Sequence, residues 1–172
     1  MEKGFEVRVI DNMTGGHERN LMQHQNNNKI VLDIGAECGD TALFFANLGA
    51  KVYSFEPIKD NFSALKRNLE LNPKLAKNII AVNAAVGKDE TLKFFKDPST
   101  PNYGASFVYN KRGENALIET VEGLSLDTVL KKYNLKEVEL MKMDCKGCEF
   151  FLTESALSRI KRVKIEFSGF HS

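Results

Sequence analysis

Three groups of residues in this chain combine types and spacings that can do chemistry. The first is Asp33-x-Gly35-x-x-x-Gly39 within VLDIGAECGD, a glycine turn that also holds Glu37 and Cys38. The second is Glu56, 23 residues after Asp33 and followed by Pro57. The third is Asp144 in MDCKGCEF, next to a C-x-x-C formed by Cys145 and Cys148. Glycine turns that take a dinucleotide read G-x-G-x-x-G, so that backbone can approach a pyrophosphate. Here Asp33 and Glu37 would repel a pyrophosphate and favour a ligand bearing an ammonium and a sulfonium. S-adenosylmethionine is such a ligand. Glu56 stands where an acid can accept both ribose hydroxyls, a device NAD binders share. The acid therefore predicts an adenosine-type ligand without a 2'-phosphate, and the turn decides between the cofactors.

These residues are useful only if the fold brings them together. KIVLDI (29–34) and KVYSF (51–55) read as buried parallel strands. Between them Asp40 is expected to cap an apolar helix that Gly49 closes in the left-handed conformation. A second helix is predicted over 60–71, with Phe62, Leu65 and Leu69 on one stripe and Asn72-Pro73 as its stop. NIIAVN (78–83) gives a third strand, and residues 91–95 and 119–124 read as extended. Ser125 is expected to cap a helix running through Tyr133, residues 138–143 form a further core strand, 147–157 a helix, and 163–167 a last strand. Strands alternating with helices predict an α/β fold, an open and mostly parallel sheet with helices on both faces and the first strand central. Ligands in such sheets sit beyond the carboxyl ends of the strands. That would gather Asp33, Gly35, Gly39, Glu56, Asn83 and Asp144.

A chain of 172 residues with a formal charge of +1 is expected to form one soluble domain without a basic field for nucleic acid or anionic membrane. The charged start, MEKGFEVRVID, does not read as a signal peptide, so a cytoplasmic location is expected. Residues 1–28 read as a partly flexible segment ahead of a domain over 29–172. Three cysteines do not make a secreted disulfide framework.

The ordered blocks VLDIGAECGDTALFFA, GAKVYSFEPIKDNFSALKRNLELN, IIAVNAAVG, GASF, LSLDTVL and MDCKGCEF resemble the FkbM family of S-adenosylmethionine-dependent methyltransferases, from Lys29 to about Phe170. The resemblance implies a Rossmann-like class I methyltransferase fold with cofactor at Asp33, Gly35, Glu37, Gly39, Glu56 and Pro57, and adenine beside Asn83 and Ala84. It also implies oxygen methylation of a sugar or small hydroxylated metabolite, with Asp144 toward the methionine end or the acceptor. Where the family reads Asp-Val-Glu-Gly-Tyr-Glu, this chain has Asp144-Cys145-Lys146-Gly147-Cys148-Glu149, and it has Glu37 where the family usually has Asn. It also stops before the final antiparallel strand pair of that fold, which would leave the fifth strand as an edge able to pair with a second copy.

Methyl transfer needs an acceptor oxygen held about 3 Å from the methyl carbon and a base for its proton. Asp144 and His171 are the candidates for catalysis, with Glu149 and Glu166 on neighbouring elements. Tyr103, Gly104, Ala105 and Ser106, in a polar stretch over 96–115, are expected on the acceptor side. Cys38, Cys145, Cys148 and His171 form a set that a zinc site would need, yet no metal is expected. Two other functions share the same features: an inactive adenosyl-binding module, and an NAD-dependent oxidoreductase.

Overall fold

The structure, a computed structural model, describes residues 29–96, 105–106, 116–145 and 147–166. In chain order the elements are β1 (Ile30–Ile34), α1 (Asp40–Asn47), β2 (Lys51–Phe55), α2 (Lys59–Leu71), α3 (Pro73–Ala76), β3 (Ile79–Val82), β4 (Ala85–Val86), β5 (Thr91–Lys96), β6 (Ala105–Ser106), β7 (Ala116–Leu124), α4 (Leu126–Lys132), β8 (Leu140–Met143), α5 (Glu154–Leu157) and β9 (Val163–Ile165). A five-stranded sheet has the order β3-β2-β1-β8-β9 with every pair parallel, so β1 is central as expected.

The runs of β1, β2 and β8 are largely apolar on both faces because both faces of a parallel sheet are covered, with Asp33, Ser54 and Lys142 as the interruptions within them. Alternation sends Val31, Val52 and Leu140 toward Ala42 and Ala46 of α1. Leu32, Ile34, Tyr53, Phe55, Met141 and Met143 go to the opposite face, against Leu126, Val129 and Leu130 of α4 and Ala156 of α5. Asp33, on the same face as Val31, is the one carboxylate in the middle of this pattern, and it is fully buried.

A second sheet, ordered β4-β7-β5-β6, was not expected. The extended segments at 91–95 and 119–124 were anticipated, but their antiparallel pairing spans a long polar stretch that carries no hairpin signal. Ala85, Leu92, Phe94 and Val121 make its small core.

Two local expectations are corrected. Asp40 is the first residue of α1 and Gly39 is its N-cap, since Gly39 takes the left-handed conformation and its carbonyl accepts from Leu43 N–H. The Asp40 carboxylate accepts instead from the neighbouring Thr41 N–H. Residues 147–157 are not one helix: a 3-10 turn over Cys148–Phe151 is cut off by extended Leu152 and Thr153, and Thr153 caps α5 by accepting from Ala156 N–H. Ser125 caps α4 and Gly49 is left-handed, both as expected. Val138 precedes β8 and forms an isolated bridge with Ile160.

Among the described residues β9 pairs with β8 alone, and no helix is long and apolar enough to cross a membrane. The expected flexible segment 1–28, together with Tyr103, Gly104, Lys146 and His171, lies outside the described residues.

Candidate active site

The turn after β1 is shaped by what it must approach. Gly35 sits at φ 77°, and the N–H groups of Gly35 and Ala36 both donate to the Phe55 carbonyl at 3.0 Å, tying the ends of β1 and β2. A Cβ on Gly35 would lie 1.9 Å from the Asp144 carbonyl oxygen, so glycine lets the end of β8 close against the turn. Gly39 serves packing: its Cβ would meet Leu65 of α2 at 2.9 Å.

Glu56 follows β2 and is 4% exposed. Its Oε2 accepts from Glu37 N–H at 2.8 Å, and its Oε1 from Ile58 N–H at 3.0 Å and Asn61 Nδ2 at 3.3 Å. Glu37 reaches it by adopting a left-handed φ of 48°. Burial pushes the Glu56 carboxyl above its ordinary pKa, and these hydrogen bonds oppose that rise. Asn83 donates from Nδ2 to the carbonyls of Glu56 and Pro57 at 2.9 and 2.8 Å, which fixes the backbone that presents the carboxylate.

Asp33 works beneath the turn. Register places it opposite Lys142 on β8, whose ammonium lies 3.3 Å from Oδ1 and also donates to the Gly35 carbonyl at 2.8 Å. The ion pair is off the hydrogen-bonding direction, and neither carboxylate oxygen has a hydrogen-bond partner among the described residues. Burial raises the Asp33 pKa from 3.8 to about 6, with Lys142 acting against it. Desolvation therefore outweighs the attraction of the neighbouring cation.

The resulting cleft lies at the carboxyl ends of β1, β2 and β8, where the strand order reverses. Its lining combines Gly35, Glu37, Glu56, Pro57 and Asp144 from the ends of the central strands with Ala84 and with Ala85, Val86 and Phe94 of the second sheet. No lysine or arginine lines it among the described residues. Of the residues expected from sequence, Asp33, Gly39 and Asn83 are not on the wall; each holds a part of it in place. Sequence reading missed Ile58, Asn61, Phe94 and Lys142. Lys142 had a signal, a lysine between two methionines in a core strand, which calls for a buried partner.

Cys145 and Cys148 are joined as a disulfide with their Cα atoms 5.6 Å apart, and Cys38 is a free thiol. Of the three cysteines that a zinc site would need, Cys38 is thus outside the pair. Among the described residues the clustered ligand atoms belong to Cys145, Cys148 and Glu149, all within 4.8 Å of one another. Cys38 is instead held by the α1 turn, where Asn68 of α2 bonds its carbonyl at 2.8 Å.

The methyltransferase FkbM domain family matches residues 33–172. No curated protein matches the chain. A solved structure of methyltransferase FkbM from Methylobacillus flagellatus KT superimposes with a TM-score of 0.55 at 17% sequence identity, covering 81% of this chain and 32% of that one. That likeness shows the fold, and this chain spans about a third of that protein's length. With the family match extending from the carboxylate of β1 across the cleft and both sheets, the chain belongs to the FkbM methyltransferase domain family.

Proposed function

We propose that this domain is an S-adenosylmethionine-dependent methyltransferase acting on a hydroxyl oxygen of a sugar or another small hydroxylated acceptor. The observation that carries the reading is the charge of the cleft: Glu37, Glu56 and Asp144 line it with no cation among the described wall residues. Such a wall favours a ligand with a sulfonium and an ammonium and opposes the pyrophosphate of a dinucleotide.

The residues present fit that cofactor. A carboxylate offers about four acceptor sites. Three donors already fix Glu56, leaving acceptor capacity for a ribose hydroxyl. Ala84, Ala85, Val86 and Phe94 supply an apolar surface for a base. Gly35 lets backbone close where a side chain would intrude. When bound, the cofactor supplies an electrophilic methyl group. The protein orients the acceptor, and the Asp144 carboxylate, on the cleft wall, takes the proton from its hydroxyl.

Calorimetric titration with S-adenosylmethionine, S-adenosylhomocysteine and NADH tests the reading. Saturable binding of the two adenosyl compounds is expected, with none of NADH, and Glu56→Ala should abolish it. A folded protein that binds neither adenosyl compound would overturn the proposal. Asp144→Asn should still bind S-adenosylmethionine, more weakly because one carboxylate of the wall is lost, and should lose turnover on hydroxylated acceptors even at saturating cofactor; unchanged turnover would remove Asp144 as the base.

A further inference from the structure

The methyl transfer proposed above assigns no role to the disulfide between Cys145 and Cys148, yet its setting is not that of an inert staple. The two sulfurs are inequivalent. Cys145 is half-buried and on the cleft wall, whereas Cys148 is 1% exposed and packed into the core among β1, β8 and α5. Beside them Glu149 is 6% exposed; its Oε2 accepts from Gly147 N–H at 2.8 Å, while its Oε1 is buried with no hydrogen-bond partner among the described residues. An unsatisfied buried acceptor costs free energy. A disulfide has no proton to give it. A Cys148 thiol, with its ligand atom within 4.8 Å of the Glu149 carboxylate, does.

We infer that Cys145 and Cys148 are a redox-active pair that exchanges with low-molecular-weight thiols through Cys145, with Glu149 favouring the reduced form. An incoming thiolate bonds to Cys145 Sγ as the bond to Cys148 breaks. The electron pair leaves on Cys148 Sγ, which takes a proton from solvent and donates a hydrogen bond to Glu149. A second thiolate attacks the sulfur of the small thiol in the mixed disulfide and releases Cys145, which is protonated in turn. The protein gains two electrons and two protons, and two small thiols become one disulfide. The inference rests on this side-chain cluster alone and stands whether or not the cleft takes an adenosyl ligand.

The test uses the full chain with Cys38→Ser, so that only the pair reports. The protein is equilibrated in mixtures of reduced and oxidised glutathione, quenched in acid, alkylated and weighed by mass spectrometry. Full, reversible interconversion across those mixtures is expected. A pair that stays wholly oxidised or wholly reduced throughout, in protein that circular dichroism shows to be folded, would overturn the inference. So would reduced protein that retains one zinc ion per chain and resists oxidation, since the cluster would then be a metal site. In the same background, Cys148→Ser should form the glutathione adduct at Cys145 at least about tenfold faster than Cys145→Ser forms it at Cys148, because only Cys145 is on the cleft wall. The reverse order contradicts the assignment. Glu149→Gln should shift the equilibrium about tenfold toward the disulfide, the value of roughly one hydrogen bond. No shift would remove Glu149 from the role.

Discussion

Asp33 is a carboxylate placed where burial and a cation pull in opposite directions, and its pKa of about 6 says burial prevails. The native protein therefore holds this proton more tightly than the unfolded chain, whose value is near 3.8. The stabilising effect of the protonated form is complete below pH 3.8 and is lost as pH rises through 6. Relative to Asp33→Asn, which does not titrate, wild-type stability should fall between pH 4 and pH 7 by up to about 3 kcal/mol, taking 1.36 kcal/mol per pKa unit. Urea unfolding of both proteins across that range measures it, and a rise instead of a fall would mean that Lys142 outweighs burial. Gly35 answers to sterics rather than charge. Gly35→Ala combines a left-handed φ with a Cβ 1.9 Å from the Asp144 carbonyl, so β1 and β8 must part at the cleft. A loss of at least about 2 kcal/mol is expected in the same assay. A stable Ala variant with wild-type ligand affinity would show that the turn tolerates a side chain.

Between elements, the joint that sequence reading least prepared for is the one tying the second sheet to the first. Asp89, in the turn between β4 and β5, accepts from Ser125 N–H at 2.7 Å and from Thr128 Oγ1 at 2.9 Å, so the turn is bonded to the first turn of α4. Those bonds hold the Asp89 carboxyl below its ordinary pKa. Stability from this joint is present above pH 3.8 and is lost as pH falls through the lowered value. Ser125→Ala removes the cap to Thr128 N–H and should cost about 1 kcal/mol in chemical unfolding; no measurable loss would mean the cap is dispensable. Ser125 was readable as a cap because a capping residue directly before an apolar helical stripe is a local signal. The strands of the central sheet were readable for a similar reason, each being a short apolar run ended by a turn residue. Asp89 was not, because its partner lies 36 residues away and no local pattern records it. The site divides in the same manner: Gly35, Glu56 and Asp144 stand at strand ends and announce themselves. Phe94 reaches the cleft only through long-range pairing of β5 with β7.

At the scale of the whole molecule, the cleft is where the two sheets meet, and a ligand in it touches both. β1 and β2 contribute the carboxylate side through Gly35 and Glu56, while β4 and β5 contribute Ala85, Val86 and Phe94. Val86 and Leu124 anchor the second sheet in the core of the first, whereas Leu92 and Phe94 of β5 belong to a small core of their own with Ala85 and Val121, so without a ligand β5 opens at lower cost than the central sheet. A ligand that binds only the native state adds RT ln(1 + [L]/Kd), about 2.7 kcal/mol at a hundredfold excess over Kd. For a domain of this size that raises Tm by roughly 5–10 °C. Because the ligand needs the wall as well as the floor, hydrogen exchange with S-adenosylhomocysteine should slow at Ala85–Val86 and in β5 as well as at the turns after β1 and β2. Glu56→Gln should lose both the thermal shift and the protection in β5, although Glu56 belongs to no strand of that sheet. Protection confined to the turns after β1 and β2 would show that the second sheet packs near the ligand without helping to hold it, and the wall assigned to Phe94 would be wrong.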